Sequence, residues 1–133
     1  MRTHLIDLLC FVVAGLLVST GVNAASPLPV QSVSASGVTV KATPRAQPGG
    51  AWTFEIVFDT HSQDLKDDLM KSATLIAGGK TYAPASWQGD PPGGHHRKGT
   101  LRFDAIDPKG GDIELRIARP GEPKPRAFLW KLK

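Results

Sequence analysis

The stretch W-T-F-E-I-V-F-D-T, residues 52–60, constrains this chain more than any other. Trp52, Phe54, Ile56 and Phe58 fall on one side of an extended backbone, with Glu55 and Asp59 opposite. Only a strand gives that separation, because side chains alternate with period two along a pleated backbone. The pattern recurs in V-T-V-K-A-T from Val38, in Leu101 and Phe103, in Ile113, Leu115 and Ile117, and in Phe128, Trp130 and Leu132. A hairpin turning at Gly78-Gly79 joins A-T-L-I-A to K-T-Y. Seven strands are therefore expected, opening at Val38, Trp52, Ala73, Lys80, Thr100, Asp112 and Arg126. Short strands with one apolar face each predict an all-β, immunoglobulin-like antiparallel sandwich. One short helix is expected over Ser62–Lys71, with Leu65 and Leu69 inward and Asp64, Asp67 and Asp68 on a solvated face.

Residues ahead of the first strand have a different character. Arg2 precedes an apolar run from Leu8 to Thr20, and Val22 and Ala24 suit the small-residue positions of a cleavage site. Residues 1–24 read as a secretory signal peptide, 25–36 as a Ser/Pro-rich lead-in merging into a first strand, and 37–133 as the sandwich domain. The run is too short to span a bilayer comfortably, so no membrane span is expected after its removal. The protein is expected in the periplasm or outside the cell. The chain's one cysteine, Cys10, lies within the leader, so the mature domain has no disulfide and no thiolate-bound metal. A net charge of +4, without a Lys/Arg-dense helix or an aromatic–basic ladder, gives no footprint for nucleic acid.

Chain reversal carries the functional expectation. Successive antiparallel strands reverse direction, so connections 60–71, 86–99 and 119–125 share one end. His61, His95 and His96 then meet on one rim, with Arg97, Lys98, Arg119, Glu122 and Lys124. Imidazoles and carboxylates without sulfur suit Cu(II) or Zn(II), and the candidate ligands are His61, His95, His96, Asp59 and Asp90. Adjacent residues point oppositely, so His95 and His96 are not expected on one ion. The alternative is recognition of an anionic ligand or a protein partner, with Arg97 as anchor. Trp87, Arg119 and Lys124 stand beside it, and the Gly93/Gly94 amides form a nest. A third expectation is purely structural: the histidines brace loops, and Trp87 packs beneath them with Leu65 and Leu69. No enzyme is expected. Ser62 sits in no G-x-S-x-G elbow, and no paired-carboxylate pattern occurs.

The segments D-T-H-S (59–62), W-Q-G (87–89), G-G-H-H-R-K-G-T-L-R-F (93–103) and F-L-W (128–130) resemble small exported bacterial β-sandwich domains of uncharacterised function. The likeness runs from Trp52 to Trp130. It implies an exported β domain and supplies no activity and no site residue. In architecture the chain is also similar to periplasmic copper carriers, although its mature end, A-S-P, lacks an N-terminal histidine.

Overall fold

A computed structural model describes residues 28–132, so the signal-peptide expectation for residues 1–24 lies outside the described residues. Among the described residues nine strands form: β1 (Gln31–Ala35), β2 (Val38–Ala46), β3 (Trp52–Thr60), β4 (Ala73–Ala77), β5 (Lys80–Tyr82), β6 (Ser86–Gly89), β7 (His96–Phe103), β8 (Asp112–Ile117) and β9 (Arg126–Lys131). They pair antiparallel as two sheets, β1-β2-β3-β7-β6 and β5-β4-β8-β9. Strands β2, β3, β7 and β6 follow the A-B-E-D order of the immunoglobulin fold. Strands β4, β8 and β9 follow C-F-G, with β5 beside C and β1 added outside A.

Alternation builds the core directly. Val38, Val40, Ala42, Phe54, Ile56, Phe58, Leu101 and Phe103 face Ala73, Leu75, Ile113, Leu115, Ile117, Phe128 and Trp130 across the sandwich, all buried. Phe54 anchors its middle, 5.6 Å from both the Phe103 and Trp130 ring centroids and edge-on to Phe103. The expected hairpin closes at Gly78 and Gly79 with φ of 57° and 78°. A Cβ on Gly78 would meet the Asp107 carbonyl at 2.3 Å, so this turn excludes any larger residue.

Four expectations are corrected. First, a strand precedes the one expected to open the sandwich at Val38, because Gln31–Ala35 of the lead-in pairs with Val38–Ala42 as β1. The Gln31 side chain also bonds both backbone groups of Leu129, which ties β1 to the opposite sheet. Second, S-W-Q-G is a strand, β6, making two strands beyond the expected seven. Third, β7 opens at His96 and not at Thr100, which moves the H-R pair from loop to sheet. Fourth, the helix α1 is a single turn, Leu69–Ser72, capped by Asp68, whose carboxylate accepts from Met70 N at 3.1 Å. Leu65 cannot join it. Its N–H donates to Gly94 O (3.0 Å) and its carbonyl accepts from Gly93 N (2.7 Å), so its backbone is already spent on the facing loop.

No helix among the described residues is long and apolar enough to cross a membrane.

Candidate ligand cleft at the loop rim

The three connections do gather at one end. Thr60 N donates to His95 O (2.9 Å), Leu65 and Gly94 pair, and Asp67 reaches Arg119. The unanticipated β6 does not disturb this. Register places Lys80 beside Ala77 and Tyr82 beside Leu75, so β5 runs toward the rim. Ser86 beside Arg102 and Gly89 beside Gly99 show that β6 runs the same way. β5 and β6 are one path that changes sheets at residues 83–85, and the alternation of loop ends is preserved.

Three arginines are buried at this rim: Arg97 (2% exposed), Arg119 (6%) and Arg126 (4%). Arg119 lies bidentate on the Asp67 carboxylate (2.9 and 3.0 Å) and donates to Glu122 at 3.1 Å. Arg126 takes Glu122 through Nε and Nη2 (2.8 and 2.9 Å). Its remaining donors go to the carbonyls of Val33, Ala35 and Val38, which fasten the β1–β2 turn. Burial works against the Arg119 charge, but the hydrogen bonds and charges of Asp67 and Glu122 more than offset it and hold its pKa above the ordinary value. The Arg126 hydrogen bonds are the main cause that lowers the Glu122 carboxyl below its usual range, against opposition from burial.

Arg97 differs from both. Nη1 donates to the carbonyls of Asp67 (2.7 Å) and Leu65 (3.4 Å), and Nη2 to that of Asp90 (3.3 Å). Its Nε has no partner among the described residues, and the group around it contains a tryptophan ring, Trp87, 5.7 Å from the guanidinium carbon. Among the described residues no carboxylate forms an ion pair with it. A buried cation held only by dipoles is costly, because carbonyls replace only part of the lost hydration.

Arg97 and Trp87 line a cleft of about 390 Å³ with Asp67, Asp68, Leu69, Met70, Gly89, Asp90, Pro91 and Pro92. The inward positions of β7 explain its shape. Arg97, Gly99, Leu101 and Phe103 alternate inward, and Trp87 of β6 stands opposite Leu101. A Cβ on Gly99 would lie 2.6 Å from two Trp87 ring carbons, so the missing side chain at Gly99 is the space the indole fills. Gly89, paired with Gly99, is equally tight: its Cβ would sit 2.4 Å from Gly99 Cα.

The expected site residues part company here. Of the metal set, Asp59 and His96 come together: they are register partners across β3 and β7, and His96 Nδ1 bonds the Asp59 carboxylate on the outer face. His95 serves through its carbonyl, to Thr60 N. The Asp90 carboxylate accepts from Lys98 N (2.9 Å) and shapes its own loop. His61 is exposed beyond β3. Among the described residues no group of three or more His, Cys, Asp or Glu side chains is placed to hold a metal ion. The cause is alternation: His96 is committed outward to Asp59, while its neighbours on either side are used by backbone pairing or burial.

Of the ligand set, Arg97 and Trp87 meet in the cleft, but Arg97 is interior and not an exposed anchor. Arg119 is already paired with carboxylates, and Lys124 is exposed on the 119–125 connection. The Gly94 amide is taken by the Asp64 carboxylate (2.8 Å) and the Gly93 amide by Leu65 O, so the expected anion nest is filled from within. The acidic trio is likewise divided. Asp64 holds Gly94, Asp68 caps α1, and Asp67 is buried (1% exposed) against Arg119 and so is no solvated helix face. Sequence reasoning missed Gly99, Asp68 and Met70 as cleft-forming residues. The Gly–Gly pairing of β6 with β7 was the available signal, but it is visible only once β6 is recognised.

No family model matches the chain, and no curated protein or solved structure matches it either.

Proposed function

We propose that this is an exported, non-enzymatic binding module that takes a small ligand in the rim cleft, with an anionic oxygen of the ligand directed to Arg97. One observation carries this: of three buried arginines, the two that do not line the cleft have carboxylate partners, and the one that lines it has none among the described residues. Charge-assisted hydrogen bonds in a low-dielectric site contribute about 1.5–3 kcal/mol each, enough to make such an arginine the anchor of a ligand. Trp87, Leu69, Met70, Pro91 and Pro92 supply an apolar wall for the ligand's body. Export rests on the leader pattern of residues 1–24.

The test is titration of the mature domain with 3-phenylpropionate, followed by calorimetry and tryptophan fluorescence. Saturable binding that weakens about tenfold or more in Arg97→Lys and in Trp87→Leu supports the assignment. Equal binding by all three proteins overturns it.

Transition-metal binding is the second function the rim supports, and the Asp59–His96 pair favours it. A carboxylate on one ring nitrogen fixes the tautomer and leaves the other, Nε2, as the ligating atom. Such a Cu(II) or Zn(II) site would need His61 or His95 to join by loop movement. Titration with either ion tests it: affinity unchanged in the His95→Ala/His96→Ala double variant ends it.

A further inference from the structure

Resting on the cleft reading above, we infer that the ligand class is a free α-amino acid with an apolar or aromatic side chain. The cleft offers three kinds of surface. Arg97 supplies positive charge, held by backbone carbonyls and paired with no carboxylate among the described residues. Trp87, Pro91, Pro92 and Met70 supply an apolar wall.

The third kind is acidic, and it sets this inference apart. Asp68 and Asp90 both line the cleft and both are exposed. Each has only one carboxylate oxygen engaged by the fold: Asp68 Oδ1 by Met70 N and Asp90 Oδ2 by Lys98 N. Among the described residues neither is paired with a basic side chain, whereas Asp67 beside them is held bidentate by Arg119.

A polyanion is repelled by this pair of carboxylates, and a simple amine meets the buried positive charge of Arg97. A zwitterion satisfies both: its carboxylate goes to Arg97, its ammonium to Asp68 and Asp90, and its side chain to the Trp87 wall. The volume, about 390 Å³, lies at the small end of ligand sites and suits one such molecule better than a polymer. Like-charge exclusion and opposite-charge capture together make the specificity.

The mature domain is titrated with three probes that share one ring: L-phenylalanine, 3-phenylpropionate and 2-phenylethylamine. Backbone amide shifts locate the site, and calorimetry gives the affinity. The inference expects phenylalanine to bind at least about tenfold tighter than either analogue, since each lacks one charge-assisted contact. That advantage over 3-phenylpropionate falls to within about twofold in the Asp68→Asn/Asp90→Asn double variant, where shape and acceptor oxygens persist but charge is gone. Asp68→Asn alone, at an exposed position, serves the same purpose should the double variant fail to fold.

If 3-phenylpropionate binds at the cleft as tightly as phenylalanine, the amino-acid class is overturned and the cleft reading stands. If 2-phenylethylamine binds most tightly, the zwitterion is overturned and Arg97 loses its role as anchor. If none of the three shifts the amides of residues 67–70 and 87–97, both the inference and the cleft reading fall.

Discussion

Asp67 serves two arginines by two different groups: its carboxylate grips Arg119 at 2.9 and 3.0 Å, while its main-chain carbonyl takes Arg97 Nη1 at 2.7 Å. One residue of the 61–68 crossover thus neutralises the structural arginine and only orients the other. The division between a closed ionic lock and an open cationic cleft runs through this residue.

Asp67→Asn should therefore separate the two roles. The amide leaves Arg119 buried with Glu122 as its remaining carboxylate, and loss of a buried charge partner costs about 3–5 kcal/mol. Urea unfolding of the variant reads this cost. Because the carbonyl contact to Arg97 is backbone, folded Asp67→Asn keeps that contact.

Acid sensitivity should follow Glu122. Its folded pKa is depressed, chiefly by hydrogen bonds from Arg126, so its contribution to stability is present above the unfolded value of about 4.3 and is lost as pH falls toward and through the folded one. Stability measured between pH 6 and 2.5 should decline below about pH 4.3, and Glu122→Gln should be less stable at neutral pH with a flatter acid limb. An unchanged slope in Glu122→Gln would show that other carboxylates carry the transition.

Much of the fold is legible in the residues themselves, and the exceptions share one cause. β3, β8 and β9 announce their inward faces with Phe54, Ile56, Phe58, Ile113, Leu115, Ile117, Phe128 and Trp130. β7 hides half of its inward face, because Arg97 and Gly99 occupy positions that a hydropathy pattern assigns to apolar side chains. β6 is hidden the same way: four residues, with Trp87 and Gly89 as its inward pair. These irregular positions are the ones that build the cleft. A sequence departs from its own periodicity where a site displaces core packing. The histidines were legible as a rim cluster, but spacing along the chain does not show that the His96 ring bonds the Asp59 carboxylate.

Gly99→Ala should expel Trp87. A methyl group 2.6 Å from two ring carbons cannot be absorbed by small adjustments, and overpacking of this kind costs about 1–3 kcal/mol. Tryptophan emission should shift to the red, and binding of 3-phenylpropionate should weaken with it. Wild-type emission and affinity in the variant would mean the indole does not wall the cleft.

Arg126→Met should loosen β1 selectively. The carbonyls of Val33, Ala35 and Val38 lose their guanidinium donor, while β8 keeps both of its sheet neighbours. Amide hydrogen exchange should accelerate across β1 and the start of β2 well before β8. Uniform acceleration through both sheets would indicate global destabilisation and no local fastening.

The most direct measurement is the nitrogen–proton correlation signal of the Arg97 Nε–H group, assigned by its loss in Arg97→Lys, during titration with 3-phenylpropionate. An anionic oxygen arriving at the guanidinium moves that signal, saturably and in step with the amides of Trp87 and Met70. A signal that stays in place while ligand is added to saturation elsewhere on the protein would contradict the assignment of Arg97 as the anchor of the cleft.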